Sequence, residues 1–291
     1  FGIRPTQFML RGGATAREVN PDCEYGIHPL FDETEAACLE AIVACGFEPG
    51  RLVCGRRHCL IQHGLTDTLE RMAACGIRYT SNNWDFPYPP TLSAAFLFGT
   101  AMPHQIYSWE GKRIGIVDIP QVFMDYQPML ECTQAAYASV RSTHGIGAWN
   151  FHPQNQVMPG VKEAIEWLAR QVGQDDAWCG TMGEYGDWYR QRDLLSACCA
   201  NGEVTLHGEA PAGLTLLSPQ SELNCNGRTS RSQRTSTWYG RKYWVHVVGK
   251  PASAEDLDSS CMGGTTHVRG IHSPCLLYTS PSPRDRTRSR M

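Results

Sequence analysis

EYGIHPLFDETEAACLEAIVACGFEPGRLVC, residues 24–54, decides the fold class. Glu24-Tyr25-Gly26-Ile27-His28 follows a Pro-Asp turn signal and reads as a short strand. Residues 33–45 set Ala36, Ala37, Leu39, Ile42 and Val43 on one helical stripe, and Gly46 closes it. Pro49-Gly50 then turns the chain into a strand at 52–54. The pattern repeats at once. A helix at 66–75, with Leu69, Met72 and Ala73 inward and Gly76 as its stop, leads to a strand at 77–81. A further strand at 7–10 precedes the first unit. Strands alternating with helices of this length predict βαβ units and a parallel sheet.

Downstream, 82–103 is rich in proline and aromatics and reads as a long loop. Strands at 105–109 and 113–118, joined at Glu110-Gly111, resemble a hairpin inserted into the α/β domain. Helix 129–141, strand 146–152, helix 159–172, a short strand at 177–181 and helix 184–198 follow. After Asn201-Gly202 the helical period disappears. Short strands at 203–209, 213–217, 222–225, 236–239 and 243–248 predict a small antiparallel β module over 200–250. Residues 251–274 show no period and read as irregular.

The 291 residues are 42% hydrophobic and 19% charged, with 13 cysteines and a formal charge of −3, which suits folded domains rather than global disorder. The charge argues against a nucleic-acid binder driven by phosphate contacts. No apolar run is long enough for a membrane span. Residues 275–291, CLLYTSPSPRDRTRSRM, resemble the conceptual translation of a sequencing adapter, and fold reasoning excludes them. Without that tail, 274 residues carry 22 basic and 28 acidic side chains, a charge of −6, and twelve cysteines. The chain is accordingly expected to be a reading frame truncated at both ends. The cysteines are scattered with no C-x-x-C pair, which leans toward a reducing compartment. Cys54-x4-Cys59 beside His58 does not match a zinc-knuckle spacing.

Two strands end alike, in Ile27-His28-Pro29 and Phe151-His152-Pro153. The proline holds each histidine extended, and in parallel α/β folds this end of the sheet carries the chemistry. A pair of buried structural histidines fits the same pattern. Alternation places Asn150 and His152 on one face of the strand, with Trp149 and Phe151 on the other. Arg56-Arg57-His58 follows another strand and suits an anionic intermediate or a carboxylate partner, though a solvated basic turn reads equally well. Asp32, four residues after His28, could share a cation with it or cap the helix that begins near Glu33. Trp84, Phe86 and Tyr88 could stack on sugar rings or close the loop onto the sheet.

Together these residues give a usable likeness. Residues 1–192 resemble the polysaccharide deacetylase (NodB-homology) family, in a branch with a C-terminal β domain. Arg56-Arg57-His58-Cys59-Leu60, followed by Ala74-Cys75-Gly76-Ile77-Arg78-Tyr79, looks like that family's third motif. Glu24-Tyr25-Gly26-Ile27-His28-Pro29 looks like the second, and Phe151-His152-Pro153 like the fifth. Glu184-Tyr185, Trp188 and Arg192 resemble the closing helix.

The likeness implies a distorted (β/α) barrel, N-terminally truncated, over 1–199, followed by a β-sandwich-like module. It implies hydrolysis of an N- or O-acetyl group on a carbohydrate by water activated on a divalent metal, usually zinc. His28 and Asp32 would bind the metal, His152 would protonate the leaving group, Arg56 or Arg57 would orient the base, and Asn150 and Trp84 would meet substrate. His58 stands in the arginine motif where proline is usual. The first motif, with its catalytic aspartate, is not visible and would lie upstream of Phe1, so this chain by itself is expected to be inactive. The family is often exported, against the lean of the cysteines. Two other readings remain: a non-catalytic carbohydrate-binding relative, and a glycoside hydrolase using Asp118 and Asp125.

Overall fold

The computed structural model describes residues 4–82, 101–125, 129–175, 177–238 and 240–248. The chain divides into two compact units, 1–171 with 179–186, and 172–178 with 187–291.

The first unit is built on the βαβ pattern. Strands β1 (Thr6–Met9), β2 (Glu24–Ile27), β3 (Cys54–Gly55) and β4 (Tyr79–Thr80) run parallel, and helices α1 (Glu35–Ala44) and α2 (Asp67–Ala74) cross between β2 and β3 and between β3 and β4. Strands β5 (His104–Tyr107) and β6 (Arg113–Asp118) form the expected hairpin. That hairpin is no mere insertion, because β6 pairs parallel with β4 and extends the main sheet. The strand order is β1-β2-β3-β4-β6-β5. A separate parallel pair joins β7 (Gln121–Met124) to β8 (Ala148–Asn150), with α3 (Met129–Ser142) between them. Helices α4 (Val161–Gln174) and α5 (Met182–Asp193) follow.

Of the distorted, N-terminally truncated barrel expected, the structure shows the mixed α/β arrangement, as an open sheet: among the described residues no barrel closes. Antiparallel β5 occupies the edge of β6 where the next parallel strand of a barrel would lie. The main core lies against α1 and α2, with Ile27, Cys38, Ile42, Leu52, Met72 and Ile77 buried together. Both helices stop at left-handed glycines, Gly46 (φ 93) and Gly76 (φ 82), as read from sequence. Helix α5 starts against Glu24, whose carboxylate accepts from the Gly183 amide (2.9 Å) and the Thr181 hydroxyl (3.1 Å). A carboxylate at a helix N-terminus is favourable.

Gly26 faces Cys54 across the β2–β3 ladder, and a Cβ there would stand 2.6 Å from the Cys54 carbonyl oxygen. Gly26→Ala must therefore push the two strands apart. The expected loss is about 1–3 kcal/mol, read as a lower urea midpoint at unchanged slope. An unchanged midpoint would mean the strands are not this close.

The second unit holds two sheets, β13-β12-β10-β9 and β11-β15-β14. Its strands are β9 (Ser196–Ala200), β10 (Glu203–His207), β11 (Thr215–Ser218), β12 (Glu222–Cys225), β13 (Arg228–Arg231), β14 (Thr235–Trp238) and β15 (Arg241–Val247). Val204, Leu223 and Cys225 of one sheet share a core with Leu216 of the other. Two expectations change. The helix predicted over 184–198 ends at Asp193, and 196–200 is a strand. Asn201-Gly202 (φ 53 and 79) closes a two-residue hairpin that pairs Ala200 with Glu203. The module is also not wholly antiparallel: β10 and β12 run parallel, because the intervening β11 lies in the other sheet. Asn226-Gly227 makes a second such hairpin, between β12 and β13. Residues 251–274 and the tail lie outside the described residues, as does Trp84.

Candidate active site

Parallel strands deliver their C-terminal ends to one edge of the sheet, and His28, Arg56 and His58 gather there; His152 stands at the end of β8 in the separate parallel pair, near enough to His28 to act on it electrostatically. His28 follows β2. Its Nδ1 lies 2.7 Å from the Arg56 carbonyl oxygen, so Nδ1 carries the proton and Nε2 the lone pair. Nε2 in turn lies 3.3 Å from His58 Nδ1. The two ends are also tied through the backbone, since the Arg56 amide donates to Ile27 and the His58 amide to Pro29. Phe31, half exposed, meets the His58 ring edge to face at 5.0 Å.

Arg56 and Arg57 are both buried and do different work. Arg56 turns into the strand-end cluster. Its Nε donates to the Ser81 carbonyl (3.2 Å) and its guanidinium lies 4.5 Å over the Phe8 ring. Burial pushes its pKa down to about 10, with Asp118 opposing, so it remains a cation at neutral pH. Arg57 is committed to structure. Its guanidinium donates to the carbonyls of Leu30, Phe31 and Glu33 and pairs with Glu35 at 2.9 Å. Of the two arginines expected at the site, Arg57 is thus the one that tethers the 30–35 loop.

Asp118, at the end of β6, is fully buried and accepts from the Thr80 hydroxyl (2.7 Å) and the Asn82 amide (3.1 Å). Asp125, just past β7, is likewise fully buried. It holds His152 twice, accepting from the His152 amide and facing its Nδ1, each at 2.6 Å. Asn150 sits on β8 two residues before His152, half-buried, and its carbonyl accepts from the Asp125 amide. Trp149 and Phe151 pack into the core behind, as alternation predicted.

Asp32 is exposed on the loop between β2 and α1 and makes no hydrogen bond or ion pair among the described residues. It does not cap the helix either. Thr34 is the cap, its hydroxyl accepting from the Ala37 amide at 3.2 Å, because α1 starts at buried Glu35.

Burial pushes the His28 pKa down to about 4; its bond to the Arg56 carbonyl opposes, and nearby Arg56, His58 and His152 lower it further. The ordinary value is about 6.5. Between those two values the unfolded chain binds a proton at this position that the folded chain does not. Stability from His28 is therefore full above about pH 6.5 and is lost as pH falls to about 4. With chelator present, the stability advantage of wild type over His28→Gln is expected to shrink between about pH 7 and about pH 4.5. Parallel curves for the two proteins would refute it.

Fold and site together define an α/β protein with histidines, an arginine and buried carboxylates at the C-terminal ends of parallel strands in two sheets. No protein-family model and no curated protein matches the chain. Among solved structures it is similar to a candidate polysaccharide deacetylase involved in O-antigen biosynthesis from Bordetella bronchiseptica. That likeness has 21% identity and a TM-score of 0.36, over 59% of this chain and 68% of the other. Among the described residues, no helix is long and apolar enough to cross a membrane.

Proposed function

We propose that this strand-end cluster serves the hydrolysis of an acetyl amide or ester on a carbohydrate. The observation that carries the reading is the Asp125–His152 pair. A buried carboxylate holding both the backbone and Nδ1 of a histidine fixes the ring and leaves Nε2 as its free nitrogen. A ring so held can deliver a proton from Nε2 to a departing amine or alkoxide. Arg56 is the arginine available to hold an anionic group at the site, since Arg57 is engaged elsewhere. The motif likeness of His28, Arg56 and His152 to the deacetylase family supplies the reaction class.

For a divalent ion the fit is partial. His28 and His58 present two imidazole nitrogens side by side, and no group of three donors occurs among the described residues. Bound there, such an ion would supply Lewis acidity toward the acetyl carbonyl and a more acidic water. Nothing in the geometry favours the glycosidase reading. Asp118 and Asp125 are fully buried, one bonded to Thr80 and Asn82, the other to His152.

The test is acetate release from N- and O-acetylated oligosaccharides with Zn²⁺ or Co²⁺ supplied. Release above the level of a His152→Ala control supports the hydrolase. Binding of the acetylated sugar without release supports the non-catalytic relative. Absence of both binding and release removes carbohydrate from the reading.

A further inference from the structure

We propose that the second unit carries a binding site of its own, a cleft that takes the carboxylate of an acidic sugar. That the ligand is a sugar rests on the carbohydrate reading above. That it is an anion rests on the cleft alone.

The cleft measures about 360 Å³ and opens between the two sheets, where the chain crosses from β11 to β12. Small-molecule sites commonly enclose about 300–1,000 Å³, with apolar walls and a few placed polar groups. Buried Val204 and Leu223 give an apolar wall from one sheet. Ser218, Arg241 and Tyr243 come from the other sheet, and Gln220 from the crossover between them.

Three observations point to an anion. First, Arg241 is a cation without a countercharge: its guanidinium makes no hydrogen bond or ion pair among the described residues. Arg231, on β13, is by contrast paired with Glu222 at 2.6 Å. Lys242 also lines the cleft, but its ammonium lies over the Trp244 ring at 5.7 Å. Second, Tyr243 is only 8% exposed, yet its hydroxyl has no hydrogen-bond partner among the described residues. A donor so placed beside a free guanidinium suits a second oxygen of the same ligand. Third, the module differs in charge from the rest of the chain. Residues 196–248 hold five basic and three acidic side chains, whereas residues 1–195 hold 15 basic and 22 acidic. The local field therefore favours arrival of an anion.

The crossover is held in place before any ligand arrives. The Ser218 hydroxyl accepts from the Gln220 amide at 3.1 Å, and the Gln220 carbonyl lies 3.1 Å from Nε2 of buried His246. The side-chain amide of Gln220 has no partner among the described residues and can meet a sugar hydroxyl. Arginine's planar fork matches a carboxylate with two parallel bonds, which a lysine cannot do.

The experiment titrates a galacturonate trisaccharide, its carboxyl-reduced neutral counterpart and inorganic phosphate into the full chain by calorimetry. Wild type is expected to bind one uronate trisaccharide per chain, about tenfold or more tighter than the neutral sugar, and more weakly as salt rises. Arg241→Gln is expected to weaken uronate binding by about tenfold or more, and Tyr243→Phe by about threefold. Arg241→Lys should recover part of the loss, because charge returns without the fork. His152→Ala should bind uronate as wild type does. Equal affinity for the charged and neutral sugars, or unchanged binding in Arg241→Gln, would overturn the anion site. Phosphate binding without uronate binding would overturn the sugar, and no binding of any of the three would overturn both. Acetate release can fail while uronate binds, and uronate can fail to bind while acetate is released, so the two readings fail separately.

Discussion

Glu35→Ala is expected to lower the unfolding free energy by about 3–5 kcal/mol, against a total of about 5–15 kcal/mol for a typical domain. Glu35 is fully buried and bridges two arginines, Arg57 at 2.9 Å and Arg71 at 2.7 Å. Burial alone would raise its pKa. The bonds from Arg71, from its own backbone amide and from Arg57 outweigh this and hold it low. Removing the carboxylate leaves Arg57, 1% exposed, as a buried cation whose countercharge is gone. Three carbonyls of the 30–33 segment still accept from it, but carbonyls do not neutralise a charge. The urea midpoint should fall with the slope preserved. A loss below about 1 kcal/mol would place the pair in the class of surface ion pairs and would remove the tether argument. Because Arg57 ties down the loop bearing Phe31, and Phe31 meets His58, the variant should also loosen the strand-end cluster before global unfolding.

How much of this was legible depends on what kind of interaction places each residue. The βαβ units could be read because both helices end at glycines and α2 carries an apolar stripe, signals that are local; α1 is apolar nearly all round, and buries Glu35, Cys38 and Ile42 while the expected inward Ala36 is exposed. Strand β7 escaped reading because all four of its residues are buried, so Gln121–Met124 shows no alternation to mark it. Strand β9 was absorbed into the preceding helix because Ser196-Ala197-Cys198-Cys199-Ala200 are small and helix-compatible. The decisive signal was the Asn-Gly turn that follows, taken only as a boundary. At the site, strand-end position identified His28, Arg56, His58 and His152. It could not say which of two adjacent arginines enters the cluster, since that depends on Glu35, a residue that reads as the polar face of a helix. Nor could it pair Asp125 with His152 across 27 residues without knowing that β7 exists. An apolar run, Val122-Phe123-Met124, ending in an aspartate was the available clue.

That missed pair sets the largest catalytic effect. Under the proposed hydrolysis, His152→Ala is expected to lower kcat for acetate release by about 10²–10⁴, the usual contribution of a positioned general acid. Asp125→Asn is expected to fall in the same range, for a different reason. The amide can still accept from the His152 backbone, so the ring keeps its place, but it puts no carboxylate opposite Nδ1 and can turn an N–H toward it. The proton then moves to Nε2 in the neutral ring, and the ring loses its charged partner. KM should change little in either variant, because in the proposed reaction both residues would act on the departing group rather than on the ground-state sugar. Residues that work as one unit are not additive, so the double variant should be no worse than His152→Ala alone. The discriminating result is a leaving-group series. An activated ester, whose alcohol departs without a proton, should be hydrolysed nearly as fast by His152→Ala as by wild type, while the sugar amide is lost. Equal losses on both substrates would mean that His152 does not act as the acid, and that the Asp125–His152 pair holds β7 to β8 and nothing more.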